Sequence, residues 1–357
     1  MAEIPEKISP DRPEPVSPGG ELIPVTKRSN LQEAARALQN GEFRVIGDVF
    51  PTGLKVLHAL RKLISEIFTD ETYSESRNTR AIYREASNRL LVPVSKGKLS
   101  LKKAPEIGWL SRLYPEDEDF LLPYPQIQGL NSAWQWYIKG LKLPVLDHKI
   151  YPFYGVYFPT RFDHLIQFDA WLKKLPGPKH HALDMGTGCG VLSFQMIKHG
   201  FEKVQACDVN PNAVLSVQEN SVKFGYDKKL DVYLSDLFSN CEGTFDLIVF
   251  NPPWMPAVDE FTGLNQAIYY QPELFERFFE SAQKHLNSDG KIVILFSNLA
   301  QKSGVTGAHP VEAELENNDR YEKMQLDKKA VKAPKSRSKR RNNRVNEFVE
   351  LWVLQKK

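Results

Sequence analysis

The chain has 357 residues, of which 41% are hydrophobic, 25% charged and 11% aromatic, ordinary values for a globular protein with room for roughly two domains. Its formal net charge of +3 is a local feature: residues 328–344 hold nine basic side chains and no acid, and without them the body would carry −6. These values exclude a wholly disordered, collagenous or coiled-coil chain. They do not support attraction of the whole molecule to nucleic acid, but they leave a local basic contact open.

Residues 1–28 hold six prolines and few large apolar side chains, and read as a disordered arm. This N-terminus has no apolar h-region of a signal peptide, and no apolar run approaches the ~18 residues of a membrane span. Cys189, Cys207 and Cys241 are widely spaced, without CxxC spacing, so neither a disulfide framework nor a zinc site is expected. The expected location is cytoplasmic.

A mostly helical N-terminal region is expected over 29–142. Asn30 and Glu33 have capping-box spacing ahead of Leu31, Ala34, Ala35 and Leu38, and Gly41 stops that helix. A second helix starts at Pro51, with Leu54, Leu57, Leu60, Ile64 and Ile67 on one face. A third is read over 75–90. Residues 91–94 and 99–101 form a hairpin, and Trp134, Trp136, Tyr137 and Leu141 mark a further helix with core-packing aromatics.

Residues 143–160 read as a linking β-hairpin and open a second domain, 161–357. Strands at 181–184, 203–209, 230–235, 245–250 and 291–296 alternate with helices at 191–199, 211–224 and 272–286. This is the rhythm of an open parallel α/β sheet. Residues 321–331 and 348–355 then form a C-terminal antiparallel hairpin, with the basic run between its strands. If its first strand runs parallel to the main sheet, the basic loop projects from the carboxyl end, where ligands bind in such folds.

Leu183-Asp184-Met185-Gly186-Thr187-Gly188-Cys189-Gly190 follows the first of these strands and opens a helix. Glycines permit a tight turn and close approach of a ligand, although structural βα turns use them too. Asp208 ends the next strand, where an acid can hold both hydroxyls of a ribose. It can also cap the following helix, but Asn210 can serve there instead. Asp236 ends the third strand, within reach of an adenine amine, with a turn cap as its other reading. The acid before the loop, Asp184, would repel a pyrophosphate but not an ammonium group. His180 and His181 have no partners at metal spacing, and Cys189 reads as a small packing residue. No metal site is expected.

The Asp184–Gly190 pattern resembles motif I of the class I S-adenosylmethionine (SAM)-dependent methyltransferases, a Rossmann-like family. The resemblance implies that Asp184, Gly186, Thr187, Gly188 and Gly190 cradle the methionine part of SAM and that Asp208 binds its ribose. Asn251-Pro252-Pro253-Trp254, directly after the fourth strand, looks like the (Asn/Asp)-Pro-Pro-aromatic motif of methyltransferases that act on planar NH2 groups. The nitrogen lone pair of such a group is delocalised. The Asn251 side-chain carbonyl and the Pro252 backbone carbonyl can accept its two N–H bonds and aim it at the sulfonium methyl. Pro253 stiffens the loop, and Trp254 offers a flat face for stacking.

The resemblance covers about residues 151–357. Phe153-Tyr154-Gly155-Val156-Tyr157-Phe158-Pro159-Thr160-Arg161 also looks like the lead-in of the glutamine N5-methyltransferases that modify translation release factors. Those enzymes likewise join a helical N-terminal domain by a β-hairpin. This chain departs from them in Pro159-Thr160-Arg161, in Trp254 where they have tyrosine, and in a longer N-terminal part. Thr160 or Arg161 meets the SAM carboxylate or the substrate, or Arg161 is a surface residue. The implied function is methyl transfer from SAM to a planar NH2. The first substrate reading is adenine N6 of RNA or DNA, with Arg337, Lys339, Arg340 and Arg341 neutralising phosphates and Trp254 stacking the extruded base. A protein glutamine amide and a SAM-binding scaffold without transfer activity are the alternatives.

Overall fold

Apolar periodicity builds the N-terminal unit, Arg12–Ile138, in a computed structural model that describes residues 8–67, 73–115, 119–177, 179–257, 267–302, 304–331 and 347–357. Its elements are β1 (Ile23–Val25), α1 (Leu31–Gln39), β2 (Arg44–Ile46), α2 (Pro51–Ile67), α3 (Tyr73–Ser87), β3 (Leu90–Ser95), β4 (Lys98–Leu99), α4 (Gly108–Leu113), β5 (Phe120–Pro123) and α5 (Tyr124–Lys139). Helix α1 starts as expected, the Asn30 side chain accepting the N–H groups of Gln32 and Glu33.

Helices dominate this unit, but they accompany a five-stranded sheet that local periodicity does not reveal, ordered β1-β2-β3-β4 with β5 on β3. Part of the arm expected to be disordered is therefore strand. Val25 pairs with Ile46 and is buried, while Pro24 is tolerated because β1 is an edge. On α2 the buried face is Gly53, Val56, Leu57, Leu60 and Ile64, whereas Leu54 and Ile67 point to solvent. Gly53 is required there: a Cβ would lie 2.1 Å from the Tyr124 ring. Helix α3 stops at Ser87, because Leu90 is recruited into β3. Trp109 is the buried aromatic and meets Trp134 edge-on, while Trp136 is exposed.

The second unit holds Lys139–Lys357 and the described residues up to Asp11. It begins with a short hairpin, β6 (Leu141–Lys142) and β7 (Lys149–Ile150), narrower than the expected linking segment. Helix α6 (Asp163–Leu172) follows, unforeseen from the sequence. Then come β8 (His181–Met185), α7 (Val191–Lys198), β9 (Lys203–Asp208), α8 (Pro211–Phe224), β10 (Leu230–Leu234), β11 (Phe245–Phe250), β12 (Met255–Pro256), β13 (Tyr269–Tyr270), α9 (Leu274–His285), β14 (Leu286–Ser297), α10 (Leu299–Lys302), α11 (Pro310–Asn317), β15 (Tyr321–Ala330) and β16 (Phe348–Lys356).

One seven-stranded sheet runs β10-β9-β8-β11-β14-β16-β15. Its middle strands are continuous apolar runs because helices cover both faces. Leu183, Phe250, Phe278, Ile292, Phe296 and Trp352 meet in its core. Strand β16 is antiparallel to both β14 and β15, so β15 runs parallel to β14. The root of the basic loop, Ala330 paired with Phe348, therefore lies at the carboxyl end of the parallel strands. None of the described helices is long and apolar enough to cross a membrane.

Candidate active site

The chain order of the second unit brings the ends of β8, β9, β10 and β11 to one edge, at the point where strand order reverses. A cavity of about 330 Å³ opens there, within the usual range for small-molecule sites. Glycine makes its floor. Gly186 and Gly188 line it, with φ of +66° and +52°, while Gly190, at +81° in the same left-handed region, lies off the wall. Gly190 caps α7, and a Cβ on it would lie 2.9 Å from Phe194 and Val217.

Asp184 lies behind this floor and does not line the cavity. It is fully buried, and its Oδ2 accepts the Thr187 hydroxyl at 2.8 Å and the Ser193 N–H at 2.9 Å. Burial outweighs those bonds and pushes its carboxyl up to about 6. Its place is that of a brace between the glycine loop and α7, off the wall where the resemblance implied a contact with the methionine part of SAM. Thr187, Gly186 and Gly188 do line the cavity.

Asp208 lines it too. One carboxylate oxygen accepts the Gly188 N–H at 2.8 Å and the other the Asn210 N–H at 2.9 Å. Burial raises its pKa against these bonds. Helix α8 is capped by the Asn210 side chain, which accepts the Asn212 N–H, so Asp208 is not needed as a cap. Asp236 lines the opposite end and is half exposed, ion-paired at 2.6 Å with Arg277 of α9, itself on the wall.

Asn251 and Pro253 line the cavity beyond Phe250, and Pro252 is buried. Trp254 is not on the wall. Its indole turns inward, donating from Nε1 to Asn251 Oδ1 at 3.2 Å and to the Leu295 carbonyl at 3.3 Å. The ring packs on the apolar core and meets His164 edge-to-face, centroids 5.4 Å apart. The indole N–H is thus held by two acceptors, and the partly buried ring packs on the core and is not on the cavity wall where a stacking face was expected.

Sequence reasoning missed His164. It stands in the first turn of α6, lines the cavity and is buried, with Nδ1 lacking a hydrogen-bond partner among the described residues. Burial holds its pKa down to about 4, and Asp163 raises it only in part. A single histidine in an unrecognised helix gives no local signal. Gly155, Tyr157 and Pro159 of the lead-in segment also line the cavity. Thr160 is exposed and off the wall. Arg161 instead reaches both oxygens of the buried Glu347 at 3.3 Å, at the foot of β16. Lys329 pairs with Asp163 beside His164. Arg337, Lys339, Arg340 and Arg341 lie outside the described residues.

These residues suit SAM. The left-handed glycines leave room for a ligand against the backbone. The Asp208 carboxylate faces the cavity with lone pairs to spare for two hydroxyls. Cys189 on the wall is inert, its thiol pushed up to about 12 by burial.

The family described as methyltransferase small domain matches residues 149–324. A Methanocaldococcus jannaschii protein, provisionally named a protein N5-glutamine methyltransferase, is 31% identical over 50% of this chain and 88% of its own length. The ribosomal protein uL3 glutamine methyltransferase of Neisseria gonorrhoeae is 36% identical over 27% of this chain. The ribosomal RNA small subunit methyltransferase C of Salmonella arizonae is 34% identical over 34%. Of these last two relatives the chain spans only 32% of the length.

Proposed function

This chain belongs to the methyltransferase small domain family, class I SAM-dependent methyltransferases, and from that premise we propose that it methylates a planar NH2, the side-chain amide of a protein glutamine. SAM supplies an electrophilic methyl group on a sulfonium. The chain's own part is orientation. The glycine loop and Asp208 hold the methionine and ribose portions, and Asp236 faces the adenine amine once Arg277 yields. The Asn251 and Pro252 carbonyls accept the two N–H bonds of the substrate and point its nitrogen at the methyl.

The observation that carries this reading is the Asn251 amide at the cavity wall, its Oδ1 tied to the Trp254 N–H. Because the indole can only donate, this bond decides which end of the amide is oxygen. The second lone pair of Oδ1 stays available to a substrate N–H. A glutamine amide needs no stacking face, which fits the inward turn of Trp254. The relative spanned over 88% of its length carries a glutamine name as well.

The second reading, a nucleic-acid base such as adenine N6, is favoured by the basic run rooted at the carboxyl end of the sheet. One experiment separates the two. The full chain is incubated with methyl-labelled SAM and a ribosome-containing extract, and protein and RNA are then separated. Acid hydrolysis of an N-methylated glutamine releases labelled methylamine, which is the expected result. A labelled nucleoside would select the second reading. Replacing Arg337, Lys339, Arg340 and Arg341 by alanine would then also flatten the salt dependence of substrate binding. Label in neither fraction would refute both.

A further inference from the structure

Methylating an NH2 leaves a proton to be removed. When the new N–C bond forms the nitrogen becomes cationic, and it must lose one N–H proton to give the stable product. The Asn251 and Pro252 carbonyl oxygens can accept hydrogen bonds but are far too weak as bases to keep that proton. Among the other carboxylates on the wall, Glu273 is exposed to solvent, and the remaining two are committed. Asp208 accepts backbone N–H bonds at the glycine loop, and Asp236 is paired with Arg277. Cys189, Tyr157 and Tyr270 are kept protonated by burial.

His164 is different. It is 5% exposed, lines the same cavity as Asn251, and packs its ring edge-to-face on the Trp254 that holds the Asn251 amide. Its Nδ1 is buried without a partner among the described residues. A buried polar atom left unpaired is costly, and such atoms in a folded protein call for an explanation, catalysis among them. An imidazole kept neutral by its surroundings has a lone pair ready for a proton.

We propose that His164 is a catalytic residue of the transfer step, the group that takes the proton from the newly methylated nitrogen. The inference rests on the planar-nitrogen reading above. The NH2 lone pair forms the N–C bond while the C–S bond breaks and its electron pair stays on sulfur. One N–H proton passes to Nε2 of the imidazole, since Nδ1 is closed off within the protein. The resulting imidazolium is disfavoured by burial and gives the proton to water as the product leaves.

The test uses the full chain, methyl-labelled SAM and the ribosome-containing extract, with His164→Phe, His164→Ala and Asn251→Ala beside the parent. Phenylalanine keeps a ring against Trp254 and removes both nitrogens, so a loss of packing is not mistaken for loss of a base. Calorimetry should give parent SAM affinity for both His164 variants. Single-turnover transfer should fall about 100-fold, at the low end for general bases. Added imidazole should restore His164→Ala in a saturable manner, and more basic imidazoles should restore it further. A parent rate in His164→Phe overturns the proposal, as does a slow His164→Ala that imidazole leaves unchanged. If Asn251→Ala also keeps the parent rate, the planar-nitrogen reading itself has failed. A parent chain that transfers no label overturns both.

Discussion

Replacing Trp254 by phenylalanine separates two roles that an aromatic residue can have beside Asn251. The indole N–H is shared between Asn251 Oδ1 at 3.2 Å and the Leu295 carbonyl at 3.3 Å. Phenylalanine keeps an aromatic ring beside His164 but removes that donor. Loss of the bond should lower stability by ~1 kcal/mol, a fall of about 2–4 °C in Tm for a domain of this size. The freed Asn251 amide can then rotate, and ~1 kcal/mol of lost orientation corresponds to about fivefold in turnover. Trp254 does not line the cavity, so SAM affinity should stay at the parent value. The assay pairs thermal unfolding and SAM calorimetry with single-turnover methylation. Parent turnover in Trp254→Phe, together with weakened substrate binding in Trp254→Ala, would refute the positioning argument and return the ring to a stacking role.

Asp208→Ala removes a carboxylate that braces Gly188 and faces the cavity, so SAM affinity should fall by ~1.5–3 kcal/mol; unchanged affinity by calorimetry in a folded variant would reject the ribose assignment. Gly190→Ala forces a side chain into φ +81° with a Cβ 2.9 Å from Phe194 and Val217, and should cost ~1–3 kcal/mol in denaturant titrations. Gly177→Ala, at φ +89° with open space around it, should lose only the backbone part, ~1–2 kcal/mol. Burial would raise the Glu350 carboxyl, but hydrogen bonds from His309, Trp352 and Lys328 overcome it and hold the pKa at about 2, below its ordinary 4.5. A depressed pKa makes this contribution fully present above pH 4.5 and lost as pH falls towards 2, so Glu350→Gln should flatten acid unfolding in that window by ~2–3 kcal/mol; an unchanged acid limb would refute it.

The β–α alternation was legible from residue 181 onward because each strand and helix writes its own apolar period and punctuation. Pro211 and Asn210 start α8, and the run Phe245–Phe250 is apolar because both faces of β11 are covered. The glycine loop, Asp208 and the Asn251-Pro252-Pro253-Trp254 segment were readable for the same reason: each is a short motif at a strand end. Tertiary structure alone decided how those motifs are used. Asp184 sits behind the loop and Trp254 turns its N–H inward, each also bonded to a group outside its motif, the Ser193 N–H and the Leu295 carbonyl. Arg161 answers to Glu347, 186 positions away, and His164 reaches the cavity through a helix with no distinct sequence signal. The direction of β15, and with it the placement of the basic loop's root, followed from pairing with β16. Local periodicity records which face of an element is buried. The partner it is buried against is chosen by packing and hydrogen-bond satisfaction between segments far apart in the chain, and the chemistry of this cavity depends on those pairings.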